Sequence, residues 1–138
     1  MRIAVLHCPT SRREALSAVA KAIARGLESQ GHQVSLFDAT VDTDARLSSF
    51  EYLVVGSEPA SLMGKVNPKL VKFLSGAGSL AGKRSLAFIL KPFLFTQRAC
   101  LSLMAAMEAQ GMIVTDYAAF TKPEEAAAFA AAYRAERY

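Results

Sequence analysis

Short, unbroken apolar runs alternate along this chain with segments whose apolar residues recur at every third or fourth position. Arg2-Ile3-Ala4-Val5-Leu6 is the first such run. It is branched and apolar on both of its alternating faces, so as a strand it must be covered on both sides. Only helices laid on the two faces of a parallel sheet do that. The pattern repeats down the chain and restricts it to an α/β architecture.

Ser11-Arg12-Arg13-Glu14 has the spacing of a capping box and predicts a helix from about residue 12. Within it Leu16, Val19, Ala20, Ile23 and Leu27 form one face, opposite Ser17, Lys21, Arg25 and Glu28, and Gly31 supplies a left-handed stop. Gln33 to Asp38 reads as a second strand and Tyr52 to Gly56 as a third, after a polar connection at 39–49 with room for a short helix. Asn67-Pro68 pairs a capping side chain with a first-turn proline and opens a short helix ending at Gly76 or Gly78. Ser85 to Leu90 is the fourth strand, residues 97–110 a helix closed by Gly111, and Met112-Ile113-Val114 the start of a fifth strand. Thr121-Lys122-Pro123-Glu124 reads as a second capping box before an Ala-rich helix to about residue 136.

The expected fold is therefore a single domain, residues 1–138: a three-layer α/β/α sandwich around a five-stranded parallel sheet of order 2-1-3-4-5. With 52% hydrophobic and 20% charged residues the chain can form its own core, which excludes disordered and low-complexity classes. The N-terminal apolar run is too short for a secretory signal, and no run approaches membrane-span length. Two cysteines, Cys8 and Cys100, in such a chain point to a reducing compartment, and a cytoplasmic location with no membrane partner is expected. The net charge of +4 comes without a zinc-ligand spacing, an RNA-binding aromatic motif or a long basic run, so no nucleic-acid partner is expected. No metal site is expected either.

Residues 1–31, 52–78 and 84–137 resemble the flavodoxin family. Val19-Ala20-Lys21-Ala22-Ile23-Ala24-Arg25-Gly26-Leu27 matches the family's first helix, and Lys69-Leu70-Val71-Lys72-Phe73-Leu74 its helix after the third strand. The resemblance implies a flavodoxin-like fold and FMN as cofactor, held by three loops at the carboxyl edge of the sheet. In the family the first loop is rich in glycine and hydroxyls, whose donors cradle the FMN phosphate. Here it carries Thr10, Ser11, Arg12 and Arg13, with arginine where glycine is usual. The arginines suit a dianion by charge-assisted bonds; the same residues also read as a Ser11 cap beside two solvated guanidiniums.

The second loop, with Ser57, Glu58, Pro59, Met63 and Gly64, lacks the ring that usually stacks on the flavin. Met63 could lie against a flavin, or Leu62 and Met63 could pack on the helix below. The third loop contains Lys91, Phe93 and Phe95. Its two rings either tuck under the sheet or face a ligand or partner. Arg12, Arg13, Lys65, Lys91 and Arg98 gather just beyond the strand ends, which predicts an anionic ligand or an acidic partner there.

Two functions follow as expectations. One is an FMN-binding electron-transfer protein with a redox partner; the other is a cofactor-less flavodoxin-fold binding or regulatory module. A third arises from Cys8, placed between a strand end and a helix N-terminus where the dipole and guanidiniums would favour thiolate. That layout is similar to the low-molecular-weight phosphatases and to the phosphocysteine carriers of sugar transport. The spacing from Cys8 to Arg13 is one residue short of the phosphatase pattern, and Glu14 occupies the matching position.

Overall fold

The computed structural model describes residues 1–61 and 63–137, with Arg137 described by its backbone alone. Five strands, β1 (Arg2–Cys8), β2 (Gln33–Asp38), β3 (Tyr52–Ser57), β4 (Arg84–Leu90) and β5 (Ile113–Phe120), form one parallel sheet of order β2-β1-β3-β4-β5. They alternate with helices α1 (Arg13–Glu28), α2 (Pro68–Gly76), α3 (Thr96–Glu108) and α4 (Pro123–Ala132).

Strand residues divide by parity between two cores. Ala4, Leu6, Leu53, Val55, Ala87 and Ile89 meet Leu70, Phe73 and Leu74 of α2 and Leu103 and Met107 of α3. Ile3, Val5, Val54, Leu86 and Phe88 point the other way, onto Leu16, Val19, Ile23 and Leu27 of α1 and Ala126 and Ala130 of α4. Burial of each Leu, Ile, Val or Phe contributes about 1.5–3 kcal/mol, and both faces of the sheet collect it. The doubly apolar strands of the sequence are thus explained by a helix layer on each side.

Glycine sets two of the close approaches. Gly56 pairs with Phe88 across β3 and β4, and a Cβ on it would stand 2.0 Å from the Phe88 ring. On Gly26 a Cβ would stand 2.6 Å from the Ala130 Cβ, so the family-like Gly-Leu of α1 is the place where α1 and α4 cross.

Several local expectations are corrected. The 39–49 connection is a series of turns rather than a helix. The last helix stops at Ala132, because Tyr133 is extended with ψ 134°, and only a three-residue 3-10 turn follows. Its cap is formed by Glu125, not Glu124: the Glu125 carboxylate accepts from the backbone nitrogens of Thr121 and Lys122 at 2.9 Å. At α1 the cap residue is Arg12 and no side chain from the Ser11-Arg12-Arg13-Glu14 box caps it. The Arg12 N–H is met instead by Glu58, the first residue after β3. Because all strands are parallel, Cys8, Asp38, Ser57, Leu90 and Phe120 end at one edge and their loops share it.

Candidate functional site at the carboxyl edge of the sheet

The loop between β1 and α1 presents three successive backbone N–H groups to one point, the kind of nest that binds an anion. Glu58, the first residue after β3, occupies it. Its Oε1 accepts from the nitrogens of Thr10, Ser11 and Arg12 at 2.8, 2.9 and 2.8 Å. Its Oε2 accepts from the Ser11 hydroxyl at 2.8 Å and from Arg12 Nε at 3.3 Å. The Thr10 hydroxyl donates to the Glu58 carbonyl at 3.1 Å, and Asn67 donates to that hydroxyl and to the Pro9 carbonyl.

Glu58 is only 3% exposed. Burial alone would raise its pKa, but the bonds from Arg12, Thr10 and Ser11 outweigh that and hold it down at about 2. A buried carboxylate stays charged here because every acceptor position has a donor. Ser11, expected to cap α1, instead donates its hydroxyl to this carboxylate.

The two arginines of the loop are engaged rather than free. Arg12 bridges Glu58 and, through Nη1, the Lys91 carbonyl at 3.4 Å, so it ties the first loop to the third. Arg13 turns the other way, to the Asp38 carboxylate and to the Thr40 hydroxyl at 2.9 Å. Burial pushes the Asp38 pKa up, and the Thr40 hydrogen bonds with the His7 and Arg13 charges bring it below the usual range. His7 is buried with Nε2 3.8 Å from Asp38; burial lowers its pKa against the pull of that carboxylate.

The second loop folds on itself, with Ala60 N–H donating to the Lys65 carbonyl at 2.8 Å and Gly64 N–H to the Ser61 carbonyl at 3.0 Å. Gly64, at φ +83°, presses on the start of α3, where an added Cβ would lie 2.9 Å from the Ala99 nitrogen. Ser57 is buried, Pro59 half-buried, and Met63 51% exposed. Leu62 lies outside the described residues.

In the third loop the rings do not tuck under the sheet. Phe93 is 94% exposed, and Leu94 and Phe95 are exposed beside it. Phe95 adopts the left-handed region at φ 62°. The Arg98 guanidinium lies 5.0 Å from the centre of its ring and 4.0 Å, through Nη1, from the Met63 sulfur. Lys65 and Lys91 are exposed at the same edge.

Chain comparison supports the architecture. The chain aligns with a flavodoxin from the domain Archaea at a TM-score of 0.72 and 20% identity, over 95% of this chain and 94% of that one. With oxidised Flavodoxin 1 from Bacillus cereus the TM-score is 0.73 at 15% identity, covering 95% of each chain. The two-electron reduced Megasphaera elsdenii flavodoxin gives 0.74 at 17% identity, over 97% and 99%. This is a flavodoxin-like fold. No protein-family model and no curated protein matches the sequence.

In the flavodoxin-like frame, FMN needs an open phosphate nest after β1 and a gap for its ring between the second and third loops. Among the described residues the Glu58 carboxylate fills the nest, and Gly64 packs closely on Ala99 at the start of α3. These residues do not fit FMN in the family's usual position. The first-loop residues Thr10, Ser11 and Arg12 and the second-loop Glu58 do come together, but as partners of one another, while Arg13, Met63, Phe93 and Phe95 are turned elsewhere.

Sequence reading missed Asp38 and Asn67, which brace the edge. The one local signal for the Glu58 bridge was an acid in the second loop beside an arginine pair in the first.

Cys8 is not the activated thiol its position suggested. It points into the core under α2 and α3 with no exposed surface. Burial, then the Asp38 carboxylate, push its pKa up to about 11, overriding Lys69 and Arg13. The thiol is neutral at pH 7 and walled off from phosphate, which removes the basis for a phosphatase or phosphocarrier. Burial raises Cys100 likewise.

Proposed function

We propose that this protein is a flavin-independent docking module on a flavodoxin-like scaffold, which engages a partner through its basic, phenylalanine-bearing edge. The observation that carries the reading is the Glu58 carboxylate seated where an FMN phosphate would have to enter. Displacing it would strand a charge that is now held by five donors, a cost that FMN binding would have to meet before any gain. The exposed rings Phe93 and Phe95, with Lys91 and Arg98 beside them, supply apolar area and positive charge for contact.

The rival reading is an FMN-binding electron-transfer protein, the class to which the names of its structural neighbours belong. Titration separates the two. Purified protein added to FMN is expected to leave flavin fluorescence unquenched up to on the order of tens of micromolar. Saturable quenching in that range, or the absorption bands of oxidised flavin in freshly purified protein, would establish the electron-transfer reading instead.

A further inference from the structure

The 91–98 loop has a composition that its own fold does not use. Phe93, Leu94 and Phe95 are consecutive and all exposed, and Phe93 touches almost nothing of its own chain. Apolar side chains exposed in sequence at a loop tip are expensive in water and mark a contact surface. The tip is also braced. Phe95 is held at φ 62°, which a bulky L residue adopts only at a cost, and its carbonyl accepts from Ala99 at 3.1 Å in the first turn of α3. Met63, more than half exposed and in contact with the Arg98 that covers the Phe95 ring, extends the apolar area.

Cations surround this tip. Lys91 precedes it, Arg98 stacks on the Phe95 ring, and Arg12 reaches the Lys91 carbonyl. Of the acids nearby, Glu58 pairs with Arg12 inside the first-loop nest, and Glu125, which accepts the Thr121 and Lys122 nitrogens, acts on Lys91. Lys65, Lys91 and Arg98 have no ion pair among the described residues, so the edge keeps an excess of positive charge beside a protruding apolar wedge.

We propose that this loop docks the protein onto an anionic membrane surface, with Phe93, Leu94 and Phe95 entering the boundary between headgroups and acyl chains and Lys65, Lys91 and Arg98 facing lipid phosphates. The proposal rests on the docking reading of this edge. A second copy of the chain is a poor occupant, since a two-fold contact would bring Lys65, Lys91 and Arg98 against their own kind. A folded acidic protein would need a pocket shaped to receive a three-residue convex tip; a lipid interface accepts aromatic and Leu side chains without one, and it places cations beside them at the headgroup level. That no helix among the described residues is long and apolar enough to cross a membrane is compatible with attachment at the surface.

The chain contains no tryptophan, so Phe93→Trp gives a single reporter at the tip. Mixed with vesicles of phosphatidylcholine containing roughly one-third phosphatidylglycerol, this variant is expected to sediment with them and to shift its emission to the blue, while pure phosphatidylcholine vesicles do neither. Phe93→Asp in the otherwise unchanged chain, with folding checked by circular dichroism, is expected to lower the partition at least about tenfold.

Failure to sediment with anionic vesicles overturns the proposal. So does sedimentation that neither shifts the Trp emission nor responds to Phe93→Asp, because that is adsorption by net charge alone. Retention on immobilised polyglutamate that Phe93→Asp abolishes, without vesicle binding, assigns the edge to an acidic protein and also overturns it. In those three cases an FMN titration that stays negative leaves the docking reading standing, whereas FMN binding removes that reading whatever the vesicles show.

Discussion

Glu58 Oε1 lies 2.8 Å from the backbone nitrogen of Arg12, the residue that caps α1, although the two are 46 positions apart in sequence. A carboxylate just after β3 therefore meets the N–H of the cap residue and the two before it, next to the positive end of the helix dipole.

Replacing that carboxylate tests its worth. Glu58→Gln keeps the shape but removes the charge and sets an amide donor against donors, and we expect a loss of about 2 kcal/mol in urea unfolding. Glu58→Ala, which leaves three backbone N–H groups without their partner, is expected to cost about 3 kcal/mol. Equal stability of wild type and Glu58→Ala would refute the role.

Acid should act through the same group. The Glu58 pKa lies at about 2 in the folded protein against 4.5 for the unperturbed side chain. The unfolded state thus binds the proton more readily, and stability falls with falling pH. The stabilisation is whole above pH 4.5, declines below it and is gone below about 2, amounting to on the order of 3 kcal/mol. Urea titrations across this window should show a steep decline in wild type and a flatter one in Glu58→Gln.

Gly56→Ala adds a methyl where the Phe88 ring already sits, 2.0 Å from the new Cβ. Gly56 lies in a strand with no positive φ, so the effect is steric, and about 3 kcal/mol of destabilisation is expected. Phe88→Leu in the same chain should recover part of it, giving a double-mutant cycle that departs clearly from additivity.

At Gly26 two effects oppose each other. Alanine is the better helix former by about 1 kcal/mol. The new methyl would, however, lie 2.6 Å from the Ala130 Cβ and 3.0 Å from the Ala131 nitrogen, where backbone must yield. Overpacking of this kind costs about 1–3 kcal/mol, so Gly26→Ala is expected to lower the melting temperature. A rise would show that α4 moves aside freely.

Cys8 should be inert in the folded protein. With its thiol at about 11, the thiolate at pH 8 is about one part in a thousand, and the residue has no exposed surface. Iodoacetamide followed by mass spectrometry is expected to leave Cys8 unmodified in buffer and to label it in urea. Prompt labelling of native protein would contradict the buried position.

How far the sequence reached can be seen element by element. The strands at 33–38 and 52–56, the Asn67-Pro68 start of α2 and the strand order were legible because each rests on local burial periodicity or on a cap within two residues. The spacing at Ser11 predicts a local cap, but a partner 47 residues away takes the Ser11 hydroxyl. Ala-rich sequence favours helix to about residue 136, yet α4 ends at Ala132 because Tyr133 turns its ring inward to meet Tyr52.

By itself, then, the sequence determined that helices cover both faces of a parallel sheet and that three loops meet at its carboxyl edge, since hydrophobic period and chain connectivity dictate both. Only the tertiary structure decided what that edge contains. Whether Glu58 reaches the first-loop nest, whether Gly64 closes on Ala99 and whether Phe93 points into solvent depend on the register of β1 against β3 and of β3 against β4. Such contacts between residues far apart in sequence leave no periodic trace in it, because only the assembled sheet brings their atoms within hydrogen-bonding distance.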